Sequence, residues 1–158
     1  MTLIKSISGI RGTIGGNVGE GLSPLDVVRF TAAYGTWIKQ NRKVDSRKIV
    51  VGTLIGLGLD VVNIGLASTP TTEIAVQKEQ ACGGLILTAS HNPKQWNALK
   101  LLNEKGEFLS EKDGKEVLAM AASDQYTFAS VDDLGTVSPR CNYNEIHIGD
   151  VLDLKLVH

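Results

Sequence analysis

The sequence predicts an α/β domain of three layers, in which a mixed, mostly parallel sheet carries helices on both faces. Short apolar runs bounded by glycine or polar residues predict strands, and longer segments with apolar residues at helical spacing predict helices. The two kinds of segment alternate along the chain, which is typical of layered α/β domains. The apolar runs are 48–52, 61–64, 84–87 and 98–102, and the helical segments begin near Pro24, Thr69 and Ser110.

The composition is that of a globular protein with a core. Of the 158 residues, 42% are hydrophobic and 21% are charged, and the formal net charge of −1 predicts no binding to nucleic acid. No apolar run is long enough to cross a membrane, and the first residues lack the apolar core of a signal peptide, so we expect a cytoplasmic protein. Cys82 and Cys141 form no Cys-x-x-Cys motif, so we expect neither a disulfide nor a zinc site.

A compact glycine-rich motif, Ser8-Gly9-Ile10-Arg11-Gly12, interrupts the opening strand predicted over residues 4–14. Its glycines would let the backbone approach a ligand closely, and the planar guanidinium of Arg11 suits a phosphate or a carboxylate. The simpler alternative is a glycine bend with a solvated arginine. By itself, the motif leaves both possibilities open.

Two helices begin with capping signals. Ser23 suits the N-cap, and Pro24 suits the first helical position. Asp26 suits the unpaired amides of the first turn. Thr69 and Pro70 predict the same arrangement for the next helix, with Thr69 as the cap. In the first of these helices the residues expected to face the core are Val27, Phe30, Tyr34, Trp37 and Ile38.

The connection between the second and third predicted strands is unusually short. Only the eight residues from Thr53 to Asp60 separate Gly52 from Val61. A crossover between parallel strands needs about a dozen residues or more, so we expect either a missing segment or two strands that are not joined in the usual way. Gly56-Leu57-Gly58 is not a dinucleotide motif, because the third glycine is missing and the order of strand, glycines and helix is wrong.

The polar stretch Thr88-Ala89-Ser90-His91-Asn92-Pro93 directly follows the apolar run 84–87. Such a run predicts a strand buried on both faces, and Pro93 prevents its hydrogen-bond ladder from continuing. We therefore expect Ser90 on a turn at the carboxyl end of a central strand, where open α/β sheets bind ligands. An ordinary solvent turn is the alternative, since these residue types favour turns.

The chain divides into three parts. Residues 1–122 contain all the strands and helices described so far, together with a helix whose start at Ser110 and Asp113 has capping-box spacing. Residues 123–140 are polar and predict a linker. Residues 141–158 form a short segment with apolar periodicity, which we interpret as the truncated start of a second domain.

Three of these stretches resemble motifs of the α-D-phosphohexomutases, a family of phosphoglucomutases, phosphomannomutases and phosphoglucosamine mutases. The stretch from Thr88 to Pro93 resembles the family's active-serine loop, and Ser8 to Gly12 resembles a motif near its N-terminus. Asn97 and Lys100 resemble the family's Asn-x-x-Lys element. The resemblance covers residues 4–122, the first of the family's four domains. The connection after Gly52 departs from it, since the family has a longer loop and most of a helix there.

The resemblance implies roles for five residues. Ser90 would carry a phosphate that is exchanged with a sugar phosphate, and Ser8 and Arg11 would line the active site. His91 and Arg11 would hold the phosphate or a sugar hydroxyl, and Lys100, otherwise a solvated strand residue, would be a general acid/base. Mg²⁺ would contact the phosphate on Ser90, while the carboxylates that hold the ion in the family lie in its second domain.

The resemblance therefore implies the N-terminal fragment of an isomerase that interconverts hexose 1-phosphates and 6-phosphates through a phosphoserine and a bisphosphate intermediate. The partner would be a hexose or hexosamine phosphate, with Mg²⁺ in the full-length enzyme, and this chain alone is expected to be inactive. The sequence leaves the choice of sugar and the oligomeric state open.

Two other classes of function are weighed against the mutase. One is a non-catalytic truncated paralogue or interaction module that retains the fold. The other is a serine hydrolase that uses Ser90 and His91. The hydrolase is disfavoured, because adjacent residues of an extended segment point to opposite faces and the sequence contains no Gly-x-Ser-x-Gly elbow.

Overall fold

The structure is a computed structural model that describes residues 2–6, 9–14, 17–41, 46, 48–50, 54–88 and 93–155, with only the backbone described at 49 and 50. Within these residues seven strands form one sheet in the order β1-β2-β6-β5-β3-β4-β7. The strands are β1 (Ile4–Ser6), β2 (Gly9–Thr13), β3 (Lys48–Val50), β4 (Asp60–Asn63), β5 (Gly83–Leu87), β6 (Trp96–Leu102) and β7 (Val137–Pro139).

The sheet is mixed, as predicted, but the expectation that it is mostly parallel is wrong. Strands β1, β2, β6 and β5 pair antiparallel, whereas the pairings of β3 with β5, β3 with β4, and β4 with β7 are parallel. Strands β5 and β6 are joined by the eight residues 88–95, a length that suits an antiparallel connection. Length alone does not decide the direction, because the nine residues 51–59 join the parallel strands β3 and β4.

Helices cover both faces of the sheet, as predicted. They are α1 (Pro24–Asn41), α2 (Thr69–Lys78), α3 (Glu111–Ala122) and α4 (Tyr143–Leu152). Leu99 and Leu101 of β6 share one core with α1 and α3, whereas Leu102 shares a second core with α2 and α4. Because successive strand residues point to opposite faces, β6 contributes to both cores. None of the helices in the described residues is long and apolar enough to cross a membrane.

The starts of the helices follow the predicted chemistry, with one correction. The backbone N–H of Asp26 donates to Ser23 Oγ at 3.2 Å, and that of Asp113 donates to Ser110 Oγ at 3.2 Å, so both predicted caps are confirmed. The cap of α2 is Ser68, whose hydroxyl oxygen accepts from the Thr71 N–H, and Thr69 is already helical. The prediction of Thr69 as the cap was therefore wrong by one residue, because the serine before it has the same capping chemistry.

The centre of α1 is fixed to the sheet by one side chain. The hydroxyl of Tyr34 lies 2.9 Å from the carbonyl oxygen of Gly84 and 2.5 Å from that of Leu102, on two neighbouring strands. The side chain is fully buried, and this burial raises the pKa of Tyr34 well above its ordinary value. A Cβ on Gly83 would meet the Tyr34 hydroxyl, so the glycine lets α1 approach β5. Phe30, Trp37 and Ile38 are buried around it, as predicted.

The short connection after β3 joins two adjacent parallel strands. Lys48 of β3 is paired with Asp60 of β4. The described part of the connection contains a 3-10 helix, Ile55–Leu57, and Leu54, Leu57 and Leu59 are buried beneath α1. In the described part of the connection, this short turn and its buried leucines therefore pack beneath α1. The predicted break between Gly52 and Thr53 lies outside the described residues.

The segment that we predicted to be a linker, 123–140, covers this connection. The N–H of Ala129 donates to the carbonyl of Gly56 at 2.9 Å, and the N–H of Gly135 donates to that of Ile55 at 2.9 Å. The segment also contains a 3-10 helix, Val131–Asp133, and strand β7 at the edge of the sheet. Its N–H groups donate to backbone carbonyls of the connection. In a crossover helix such carbonyls would be paired within the helix.

Helix α4 packs against α2. The Tyr143 hydroxyl donates to Glu79 Oε1 at 2.8 Å, and Lys78 Nζ lies 3.0 Å from Asp150 Oδ1. Burial, followed by the hydrogen bond to Glu79, raises the pKa of Tyr143. The division of the chain into a first domain, a linker and a second domain stays a prediction.

Candidate active site

The ends of the serine loop are described, and its centre is not. Strand β5 ends at Leu87, and the N–H of Thr88 donates to the carbonyl of Ala98 at 3.0 Å. The chain is described again from Pro93, whose carbonyl accepts from the N–H of Trp96 at 2.9 Å. The predicted site residues Ser90 and His91 lie outside the described residues, and so does Ser8. The structure therefore describes Arg11 and Lys100 and the two ends of the loop.

Arg11 lies in the middle of β2, where it is paired with Ala98 of β6. Its neighbour Ile10 is buried in the core beneath α1 and α3, so Arg11 points to the other face of the sheet. The Nε of Arg11 is buried, and it has no hydrogen-bond partner within the described residues. A buried donor without an acceptor costs free energy, which makes this atom a candidate to bind an anion.

The glycines around Arg11 are required by packing within the protein. Gly9 has φ of 125°, and an added Cβ would meet the carbonyl oxygen of Leu99 on β6. A Cβ on Gly12 would lie 2.9 Å from the backbone nitrogen of Leu22. We had interpreted these glycines as places where the backbone approaches a ligand. The structure gives them a different role, which is to let β2 lie close to β6 and to the start of α1.

Lys100 lies on β6 between two contacts. Its Nζ is 3.3 Å from Thr69 Oγ1 in the first turn of α2, and 5.6 Å from the centre of the Phe108 ring. The side chain is half-buried. Lys100 is therefore held at the end of α2, and it is not simply a solvated strand residue.

Arg11 and Lys100 lie on the same face of the sheet. Arg11 is opposite Ala98, and Lys100 follows two residues later on the same strand, so the two are diagonal neighbours about 7 Å apart. Thr88, which begins the serine loop, is bonded to Ala98 between them. Two positively charged side chains thus lie on β6 and β2, on the same side of the strand end from which the loop starts.

A hydroxyl cluster fixes the first turn of α2 beside Lys100. Ser68 Oγ lies 2.8 Å from Thr71 Oγ1, and Thr71 Oγ1 lies 2.9 Å from Nδ1 of His147 on α4. The hydroxyl of Thr72 donates to the carbonyl of Ser68 at 3.1 Å. These bonds hold the turn that contains Thr69, and they connect it to α4.

The described residues do not fit a metal site of their own. Among them, no group of three or more His, Cys, Asp and Glu side chains is arranged to hold an ion. The expected contact of Mg²⁺ with a phosphate on Ser90 lies outside the described residues. Arg11 and Lys100, the described candidate side chains nearest the start of the loop along the sheet, are cationic, and they suit a phosphate rather than a cation.

Sequence reasoning missed the two residues that contact Lys100. Thr69 was interpreted as a cap, in a region that the family resemblance places near the active site, and Phe108 was not singled out. A signal for Phe108 exists in the turn after β6, because a short hairpin return places it opposite Leu102, on the same face as Lys100.

Comparison with known proteins identifies a family for half of the chain. Residues 48–127 match the family described as "Phosphoglucomutase/phosphomannomutase, alpha/beta/alpha domain I". This range includes the connection after β3, the serine loop and Lys100.

Curated relatives match over most of the chain. The "Probable phosphoglucosamine mutase" of Pyrococcus horikoshii is 30% identical over 147 residues, which are 85% of this chain and 33% of the relative. The "Phosphoglucosamine/phosphogalactosamine mutase" of Sulfurisphaera tokodaii is 34% identical over 119 residues, which are 68% of this chain and 25% of the relative. The chain thus spans about a third or less of the length of these relatives.

A solved structure has the same fold. The phosphoglucomutase/phosphomannomutase family protein of Burkholderia thailandensis superposes with a TM-score of 0.70 over 96% of this chain and 37% of that chain, at 20% identity. The family match, the curated relatives and the serine loop between β5 and β6 lead to one conclusion: the chain belongs to the phosphoglucomutase/phosphomannomutase family and contains its α/β/α domain I.

Proposed function

We propose that this chain forms the phosphate-carrying wall of a phosphohexomutase active site, with Ser90 as the carrier. The observation that supports the proposal most strongly is the pair of cations, Arg11 and Lys100, on one sheet face beside the strand end that leads into the serine loop. The parent reaction interconverts hexose or hexosamine 1-phosphates and 6-phosphates. The proposal includes a cytoplasmic location.

Phosphoryl transfer requires that the protein positions the reacting groups and compensates their charge, more than it requires covalent assistance. A phosphoserine has a charge of about −1.5 to −2 at neutral pH, and the transferred group needs cations around its oxygens. Arg11 has a buried Nε that is ready to donate, and Lys100 has donors beyond the one that faces Thr69. His91 and Ser8 complete the proposed site.

The roles divide between proton transfer and phosphate binding. Lys100 is the proposed general acid/base for the sugar hydroxyl that accepts or releases the phosphoryl group, since its ammonium is fixed by Thr69 and Phe108. Arg11 binds the phosphate and stays protonated throughout. Magnesium belongs to the full-length enzyme in this proposal, and no step is assigned to it here.

A second candidate function is a non-catalytic module with the same fold. It is favoured by the connection of residues 51–59 between β3 and β4, where the family has a longer loop and a helix. Such a module would retain the sheet and the helices without binding a sugar phosphate.

Direct titration separates the two candidates. The 158-residue chain is titrated with the 1-phosphates of glucose, mannose and glucosamine, and with unphosphorylated glucose, by calorimetry and NMR. We expect the phosphorylated sugars to bind and glucose not to bind, and we expect Arg11→Gln to weaken binding about tenfold or more. Binding of none of the three phosphates would contradict the mutase proposal and favour the module.

A coupled assay tests the expected inactivity of the chain by itself. With Mg²⁺ and a hexose bisphosphate activator, the 158-residue chain is expected to show no turnover of the three 1-phosphates. Turnover that disappears in Ser90→Ala would contradict this expectation.

A further inference from the structure

We propose that Phe108 and Thr69 are positioning residues that hold the Lys100 ammonium in place for its ligand, a phosphorylated sugar. This inference rests on the proposed function for the identity of the ligand. The positioning itself stands on the contacts of Lys100 with Thr69 Oγ1 at 3.3 Å and with the Phe108 ring at 5.6 Å.

The position of Phe108 is determined by the turn that follows β6. The side-chain carbonyl of Asn103 accepts from the N–H groups of Lys105 and Glu107 at 2.9 and 3.0 Å, which closes the turn. Phe108 then forms an antiparallel bridge with Leu102, so its ring lies on the same face as Lys100.

The turn is also docked onto α2. The side-chain amide of Gln77 donates to the carbonyl of Lys105 at 2.6 Å. Gly106 has φ of 76°, and a Cβ there would lie 2.5 Å from the carbonyl oxygen of Glu73. Phe108 and α2 are therefore fixed relative to each other, and the distance between the ring and Thr69 does not depend on a free loop.

Thr69 contacts the Lys100 ammonium from the first turn of α2. It is the first residue of α2, and the turn it belongs to is held by the Ser68 cap and by the contact of Thr71 with His147. Its hydroxyl accepts a hydrogen bond from the Lys100 ammonium. The aromatic face attracts the same charge by a cation–π interaction.

The consequence is a pre-organised ammonium. A lysine side chain has many rotamers, and fixing it at the moment of binding costs conformational entropy. The Thr69 hydroxyl and the Phe108 ring fix the Lys100 side chain before a ligand binds. Thr69 accepts from one N–H of the ammonium, and the Phe108 ring occupies one side of it. The remaining donors stay available for a ligand on the face shared with Arg11.

A double-mutant cycle on the 158-residue chain tests the proposal. Phe108→Leu removes the ring but keeps an apolar side chain, and Phe108→Tyr is the conservative control. Thr69→Val removes the hydroxyl at constant shape, and Thr69→Ser restores it. Affinity for inorganic phosphate and for glucose 1-phosphate is measured in each variant, and again with Lys100→Met.

We expect Phe108→Leu and Thr69→Val each to weaken phosphate binding about threefold, and the two conservative variants to bind like the parent chain. In the Lys100→Met background the same substitutions should cause no further weakening, because the residue they position is gone. An equal loss with and without Lys100 would overturn the proposal, since it would indicate a merely structural effect.

NMR of the ligand-free chain separates this proposal from the proposed function. The Lys100 ε-methylene protons should show a ring-current displacement that disappears in Phe108→Leu and persists in Phe108→Tyr. If the chain binds no phosphate but the displacement is present, the proposed function fails and the positioning stands. If Phe108→Leu leaves the methylene shifts unchanged, the positioning is overturned regardless of phosphate binding.

Discussion

Lys100 on β6 lies diagonally across from Arg11 on β2, because Arg11 is paired with Ala98 and Lys100 is two residues beyond it on the same strand. Backbone register alone therefore brings together two cations that are 89 positions apart in the sequence. The serine loop begins at Thr88, which is bonded to the same Ala98. The antiparallel pairing of β2, β6 and β5 is what assembles the candidate site.

Replacement of Arg11 should reduce ligand binding without reducing stability. Its Nε is buried without a partner in the described residues, so its removal breaks no hydrogen bond of that atom there. We expect Arg11→Leu to change the free energy of unfolding by less than about 1 kcal/mol and to weaken glucose 1-phosphate binding about tenfold or more. Calorimetric titration and thermal unfolding measure the two effects.

Arg29→Leu is the matched control. Arg29 lies on α1 and forms an ion pair with Asp124 at 3.2 Å that is exposed to solvent. Its removal should leave phosphate binding unchanged. A loss of binding equal to that of Arg11→Leu would indicate a general effect of net charge.

Gly9→Ala should destabilise the fold strongly. The residue has positive φ, and its Cβ would meet the carbonyl oxygen of Leu99, so β2 would have to move away from β6. We expect a loss of about 2 kcal/mol or more in the free energy of unfolding, measured by urea denaturation.

Gly114→Ala is the control for Gly9→Ala. An added Cβ in α3 meets nothing within 4 Å, and alanine is a better helix former than glycine. This variant should be more stable by about 0.5–1 kcal/mol. Equal effects of the two substitutions would contradict the packing described for β2.

Alkaline pH should destabilise the protein through Tyr34. Burial raises the pKa of Tyr34 above its ordinary value of 10.0, so the unfolded chain releases this proton at lower pH than the folded chain does. The stabilising contribution is therefore fully present below about pH 10 and is lost as pH rises through that value toward the folded pKa.

Tyr34→Phe removes this dependence and also the hydrogen bonds to Gly84 and Leu102. We expect it to be about 1–3 kcal/mol less stable at pH 7 and to lose less stability between pH 9 and 11 than the parent chain. Urea denaturation across this pH range measures both quantities. An unchanged pH profile would show that Tyr34 does not control the alkaline transition.

Gly135→Ala tests the role of the segment that covers the short connection. A Cβ at this position would meet the carbonyl oxygen of Leu59, and the Gly135 N–H donates to Ile55. We expect a loss of about 2 kcal/mol or more in the free energy of unfolding. Gly149→Ala in α4, where a Cβ meets nothing within 4 Å, should not be destabilising, and a neutral Gly135→Ala would mean that the segment is a loose linker.

Local signals in the sequence predicted much of the fold. Capping residues such as Ser23 and Ser110, and the helical spacing of Phe30, Tyr34 and Ile38, act within a few residues, and the structure confirms them. The direction of the strands is less local. The sheet was expected to be mostly parallel because α/β alternation favours parallel sheets. Strands β5 and β6 pair antiparallel, although a connection of similar length joins the parallel strands β3 and β4.

The candidate site was predictable only in part, for the same reason. Arg11 and Lys100 were singled out by resemblance, while Phe108 and Thr69 were not recognised as contacts of Lys100. These contacts depend on strand register and on the docking of the 103–107 turn onto α2, and the local signal in the turn after β6 does not include that docking. The hydrogen bonds of Ala129 and Gly135 to the short connection were not foreseen from the polar composition of this segment, and its role as a linker stays a prediction.

The covalent state of Ser90 tests the proposed phosphate-carrying role most directly. The full-length native protein is incubated with a hexose 1,6-bisphosphate and Mg²⁺. Its phosphorylated residues are then mapped by peptide mass spectrometry. We expect phosphate on Ser90 and none in the Ser90→Ala variant. Stoichiometric phosphate on another residue, with Ser90 unmodified, would contradict it.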